Sequence, residues 1–181
     1  MARAAAERRE RFEAAYRELY DPICGYVLRR VRRPEDAAEA IAETFATLWR
    51  RFDACPQGHE LRPWLFGVAR RVIANQRRSE RRRTALGERL VANLDPAALG
   101  AVDPAGETSA LARAFGSLSD SDRELLSLTA WEGLTREELA VALGTSRAAV
   151  RLRLHRARKR LRDALPPTHV RFTGGQEHEW T

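Results

Sequence analysis

The chain has 181 residues, enough for one medium domain or two small ones and too few for a large multidomain enzyme. Its 32 basic and 25 acidic residues leave a net charge of +7, and every basic residue except Lys159 is arginine. That excess favours an anionic partner, with nucleic acid ahead of acidic protein or membrane.

Apolar residues form 44% of the chain, so it can bury a core. Two cysteines, Cys24 and Cys55, are too few for a disulfide framework, and the basic start lacks a cleavable apolar leader. Charges or prolines interrupt every apolar run short of the roughly 20 residues that cross a bilayer. The expectation is a cytoplasmic protein without membrane insertion.

Charge is spread unevenly: residues 1–83 carry +7, 84–110 carry −3, 111–165 carry +4 and 166–181 carry −1. In the first segment Phe12, Tyr16, Leu19, Tyr20, Ile23 and Val27 recur at helical spacing. Pro34 is placed to open a second helix, with Glu35 and Asp36 in its first turn and Ala37, Ile41, Phe45, Leu48 and Phe52 on one face. After an aperiodic loop, Pro63 introduces a third helix with the apolar stripe Trp64, Leu65, Val68, Ala69, Val72 and Ile73.

Residues 84–110 are acidic and rich in small residues, glycine and proline, which reads as a flexible linker. Leu86, Leu90, Val91 and Leu94 leave open a short helix there. The chain then offers an apolar pattern at Leu111 and Phe115, a capping box from Ser119 to Asp122, and a second from Thr135 to Glu138. Ala140, Gly144 and Val150 fall at the spacing of a helix-turn-helix: a small residue where helices cross, a glycine for the tight turn, an apolar wedge between helices. The expected architecture is all-α, two small helical domains (1–83 and 111–165) joined by the linker 84–110, the second containing the helix-turn-helix, with a tail at 166–181.

The helix after that turn buries Val150, Leu154, Ala157 and Leu161 on one stripe and presents a different stripe outward. Between 147 and 162 it has eight basic residues and no acidic one. Phosphates supply the missing countercharge, because arginine matches their geometry in bidentate fashion. Arg147, Ala148, Arg151 and Leu152 are placed for base edges, and Arg156, Arg158 and Lys159 for backbone. A solvated basic face is the plain alternative, and His155 has no carboxylate or nucleophile beside it to make it a catalytic base.

The Trp64 helix carries Arg70 and Arg71 on its margins and ends in Arg77, Arg78, Arg81, Arg82 and Arg83, a second phosphate-attracting surface. Trp64 is read either as core or as a stacking platform for an unstacked base. Cys55 and His59 are too few ligands for a structural zinc, and no nucleotide-binding or hydrolase signature is present, so neither metal, cofactor nor catalysis is expected.

Four segments, FEAAYRELYDPICGYVLRRV at 12–31, PEDAAEAIAETFATLWRRF at 34–52, RPWLFGVARRVIANQRRSERRR at 62–83 and LSDSDRELLSLTAWEGLTREELAVALGTSRAAVRLRLHRARKRL at 118–161, together resemble a group 4, extracytoplasmic-function sigma factor of bacterial RNA polymerase. The resemblance implies a region 2 over 12–83 that binds core polymerase and opens the -10 element, and a region 4 over 111–165 that reads the -35 duplex. It places polymerase contacts on Asp36, Glu39, Ile41, Glu43, Thr44 and Phe45, with Ala38, Ala40 and Ala42 departing from the family's usual residues.

It assigns capture of a flipped -10 base to the 53–62 loop and the start of the Trp64 helix, where Arg71 and Asn75 depart from the usual asparagine and aspartate. In region 4, Arg151, Arg153, His155 and Arg156 match the family's run, while Leu152 replaces a serine and exchanges a hydroxyl for possible contact with a thymine methyl. An anti-sigma partner is implied by the resemblance alone. A two-domain helix-turn-helix regulator acting without polymerase is the alternative function.

Overall fold

The computed structural model describes residues 2–90 and 107–166. Its described residues form α1 (Ala2–Leu28), α2 (Pro34–Arg51), a short 3-10 turn (Gly58–Glu60), α3 (Leu61–Leu90), α4 (Glu107–Gly116), α5 (Asp120–Ala130), α6 (Arg136–Leu143) and α7 (Arg147–Ala164). The fold is all-α, with α1 to α3 in one helical cluster and α4 to α7 in the other.

α1 begins ahead of its apolar stripe because the preceding alanines, glutamates and arginines are strong helix formers. Arg3 to Glu7 and Arg9 to Glu13 add ion pairs one turn apart. α2 starts as its sequence dictates, with Pro34 in the first turn and Glu35 and Asp36 beside the free N–H groups. The backbone N–H of Glu35 and the Arg33 guanidinium hold the Glu35 carboxyl below the usual carboxylate range.

Leu19, Ile23, Tyr26 and Val27 of α1 are buried with Ala40 and Leu48 of α2 and Leu65, Phe66 and Ala69 of α3. Full burial of one large apolar side chain is worth about 1.5–3 kcal/mol, so this three-helix core anchors the first cluster. α3 continues to Leu90, past the boundary at 83, because no proline interrupts it before Pro96. Of the short helix left open in the linker, Leu86 and Leu90 belong to α3. Residues 107–110 of the expected linker open α4, ahead of the boundary at 111. Val91, Leu94 and the rest of 91–106, with residues 167–181 of the tail, lie outside the described residues.

The second cluster follows its capping signals. Thr135 and Glu138 form the complete reciprocal box at α6. At α5 only half of the expected box forms: the Ser119 hydroxyl accepts from the Asp122 N–H, while the Asp122 carboxylate binds Arg160 at 2.6 Å. Gly144 closes α6 in the left-handed conformation at φ 62°, where a side chain would be strained. Ser146 caps α7 by accepting from Ala149 N–H, and Val150 is fully buried between the helices.

The two clusters pack directly on one another. At Gly67 of α3 a Cβ would lie 2.5 Å from the Ala142 carbonyl oxygen of α6, so glycine permits backbone-to-backbone contact there. Around that contact, Tyr26 Oη donates to Glu124 at 2.6 Å and Arg30 Nε to the other Glu124 oxygen at 2.9 Å. Arg29 pairs with Glu132 at 2.6 Å, and Arg62 donates to the Glu132 carbonyl at 2.6 Å. The Glu132 side chain is only 3% exposed, and its carboxylate also pairs with Arg30 at 3.3 Å.

Candidate nucleic-acid interface

On α7 the residues expected to face a partner are on the surface. Arg147, Ala148, Arg151, Leu152, His155, Arg156, Arg158 and Lys159 are exposed, while Val150, Leu154 and Ala157 are buried. Leu152 is 49% exposed, an apolar side chain amid cations. Ala148, Arg151, Leu152, His155 and Arg158 line an open groove together with Arg136 of α6. Arg147 forms a loose ion pair with Glu137 at 3.5 Å, whereas Arg151, Arg156 and Arg158 have no ion pair among the described residues.

Arg153 is placed differently from its neighbours. It is half-buried and lines the cleft between the clusters with Tyr26, Arg70, Arg77 and Arg78. In this arrangement its guanidinium does not share the outward groove of Arg151 and His155.

The second surface is a groove of about 760 Å³ between α2 and α3. Trp64, Arg71 and Asn75, expected at the flipped base, line one wall, and Glu39 and Glu43, expected at polymerase, line the other. Trp64 is half-buried, serving both the core and the groove wall. Arg71 Nε donates to the Gly67 carbonyl at 3.1 Å, and Asn75 Oδ1 accepts a short hydrogen bond from Arg78. Arg77 donates to the Arg30 carbonyl at 2.7 Å. Arg70 lies on the opposite side, beside Tyr26.

The remaining polymerase candidates divide by burial. Asp36 lies at the start of α2, paired with Arg33 at 3.6 Å, and Ile41 is half-buried against the core. Thr44 is fully buried and donates to the Ala40 carbonyl at 2.7 Å, so it has no surface to offer a partner in this conformation. Phe45 is 5% exposed, its ring covered by Tyr16 at 4.6 Å and Tyr20 at 6.0 Å. These two residues support the α2 face from beneath.

Tyr16, Tyr20 and Trp49 are the exposed aromatics of that face, with the Arg8 guanidinium 4.1 Å above the Trp49 ring. Tyr16 and Tyr20 fall on the apolar spacing of α1 yet are exposed in the fold, and Trp49, outside the expected α2 face, is marked by its spacing of one turn from Phe45.

The expected 53–62 loop ends earlier, in the 3-10 turn and the first residues of α3. Ahead of that turn Cys55 is buried, donates to the Phe52 carbonyl and accepts from Gln57, and burial pushes its thiol pKa up. No cluster of three or more potential metal ligands occurs among the described residues. No helix among them is long and apolar enough to cross a membrane.

Residues 15–83 match the family model "Sigma-70 region 2" and residues 108–161 match "Sigma-70, region 4". The chain is 33% identical over 155 residues to the probable RNA polymerase sigma factor RfaY of Xanthomonas campestris, covering 82% of this chain and 38% of that protein. It is 29% identical to the ECF RNA polymerase sigma factor SigL of Mycobacterium tuberculosis, covering 88% and 91% of the two chains. It is 30% identical to the RNA polymerase sigma factor NccH of Alcaligenes xylosoxydans, covering 75% and 76%.

Its fold is similar to that of the sigma factor RpoE of Bartonella quintana in complex with the anti-sigma factor NepR, at TM-score 0.58 and 21% identity over 86% of this chain and 96% of that one. It is equally similar to CnrH in complex with the cytosolic domain of CnrY, at TM-score 0.58 and 22% identity over 90% and 92%. With both family regions matched in order along one chain, and with NccH 30% identical over 76% of its length, the protein belongs to the extracytoplasmic-function, group 4-like branch of the sigma-70 family.

Proposed function

We propose that this chain binds core RNA polymerase through the α2 face and directs it to promoters, with α7 in the -35 major groove and the α2–α3 groove holding the opened -10 strand. The observation that carries this reading is the outward stripe of α7. Arg151, His155, Arg156 and Arg158 are exposed together on a helix packed by Val150 and Leu154 against a helix-turn-helix. Arg151 and Leu152 address base edges, and Arg156, Arg158 and Lys159 neutralise phosphates.

At the -10 element, Trp64 supplies an apolar wall, and Arg71 and Asn75 supply donors and acceptors to an extruded base. Extrusion costs a few kcal/mol, which stacking and single-strand contacts offset. Glu39, Ile41 and Glu43, extended by the exposed rings of Tyr16, Tyr20 and Trp49, form the polymerase contact. Phosphoryl transfer belongs to the polymerase, and this chain contributes position and strand capture. The solved relatives in complex with anti-sigma factors support restraint of the free chain by such a partner.

Promoter engagement also requires the clusters to separate. The -10 and -35 elements are nominally about 25 base pairs apart, or roughly 85 Å at about 3.4 Å per pair. A compact body of roughly 150 residues has a radius of gyration near ~15 Å and does not span that distance. The contacts between Gly67 and Ala142 and among Arg29, Arg30, Glu124 and Glu132 are therefore those that open on the promoter.

The test is association with purified core polymerase, comparing wild type with Glu43→Arg and Trp49→Ala. The reading expects stable assembly of the wild type and at least tenfold weaker assembly of each variant. Wild-type chain that remains free would overturn it.

A further inference from the structure

We propose that the cleft between the two clusters is a binding site for a compact molecule carrying two or more phosphate groups. The site belongs to the free chain, and only its consequence for DNA rests on the proposed promoter contacts.

The cleft has a volume of about 360 Å³, within the lower range of small-molecule sites, and is bounded by α1, α3, α5, α6 and α7. Five arginines line it: Arg30, Arg70, Arg77, Arg78 and Arg153. Its two carboxylates are already engaged. Glu124 accepts from Tyr26 and Arg30, and Asp120 accepts from Arg123. Arg77 and Arg78 donate only to neutral oxygens, those of Arg30 and Asn75. Arg70 and Arg153 make no hydrogen bond or ion pair with any described residue.

Two donors in this group, Arg30 Nη2 and Arg70 Nε, are shielded from solvent and have no acceptor. Buried polar atoms nearly always find a partner, and each exception calls for a physical explanation. The lining holds an excess of three positive charges, counting five arginines against two carboxylates. A single monoanion leaves that excess largely uncompensated. Linked phosphates supply several charges and many acceptor oxygens in a small volume, in the geometry that guanidinium groups bind most strongly.

The arginines come from both clusters: Arg70, Arg77 and Arg78 from α3, Arg153 from α7. A ligand held by both favours the closed arrangement in proportion to its occupancy, since anything that binds one state preferentially shifts the equilibrium toward it. The same arginines are then withdrawn from DNA phosphates.

The test is calorimetric titration of the full chain, without polymerase or DNA, using sodium tripolyphosphate and, at matched ionic strength, sulfate. The expected result is one saturable tripolyphosphate site at least tenfold tighter than sulfate. Arg153→Gln should weaken it at least tenfold. Ser121→Glu, which places a carboxylate at the cleft while suiting the first turn of α5, should do the same with an unchanged circular dichroism spectrum. Arg17→Gln, on the 76%-exposed surface of α1, should bind as wild type.

Equal affinity for the two anions, or equal loss in Arg17→Gln and Arg153→Gln, would overturn the proposal. Absence of saturation would also overturn it. A chain that fails to join polymerase can still pass this titration, so the two readings fail separately.

Discussion

Tyr26 and Glu124 are 98 residues apart in sequence and joined by a 2.6 Å hydrogen bond from phenol to carboxylate. The Tyr26 ring is fully buried, meets Phe66 edge-on at 5.4 Å and carries the Arg30 guanidinium 3.7 Å from its centroid. One side chain thus belongs to the core of the first cluster and to the contact with the second.

This pair gives the closed state a pH dependence. Burial, and then the facing Glu124 carboxylate, raise the Tyr26 pKa against the opposing influence of Arg30 and Arg70. Below the ordinary tyrosine value of about 10 the phenol is protonated in both folded and unfolded chains, and its contribution is fully present. As pH rises above that value, the unfolded chain ionises first and the contribution is lost. Denaturant unfolding between pH 8 and 11 should show this fall, and Tyr26→Phe should flatten it.

Glu132→Ala removes the carboxylate that Arg29 and Arg30 share. Breaking a fully buried pair costs about 3–5 kcal/mol, but the exposed side of Arg29 is solvated, so we expect about 2 kcal/mol. Urea unfolding measures the loss, and small-angle scattering should show a larger mean radius of gyration at moderate salt.

Gly67→Val attacks the same contact sterically. Its Cβ would press on the Ala142 backbone, which cannot yield as a flexible side chain would. The expected outcome is separated clusters with helix content near wild type, read by scattering and circular dichroism. An unchanged radius would show that α6 slides to accommodate the side chain.

Much of the fold was legible because local chemistry and long-range packing agree. Pro34 with two acids, Thr135 with Glu138, and Gly144 at positive φ each specify a helix end from a few neighbouring residues. The outward stripe of α7 was legible for the same reason: the spacing of Val150, Leu154 and Ala157 fixes which side is buried. Gly67 and Arg153 were not legible in this way. Their surroundings are supplied by the other cluster, and periodicity within one helix carries no information about them.

Arg151→Ala should weaken binding to a -35 duplex by about 1–3 kcal/mol and relax base preference at one position. Neutralising Arg77 and Arg78 together should weaken binding to all sequences alike and lower the slope of log affinity against log salt by roughly 2. Fluorescence anisotropy over a salt series separates these two signatures.

The most direct measurement is a combined footprint of the chain reconstituted with core polymerase on promoter DNA. Duplex protection reports the upstream contact, and permanganate reactivity of unpaired thymines reports the opened strand. The account predicts both signals in the same complex, with Arg151→Ala weakening the upstream protection and Trp64→Ala weakening the thymine reactivity. Duplex protection that needs no polymerase, with no unpaired thymine under any condition, would contradict it.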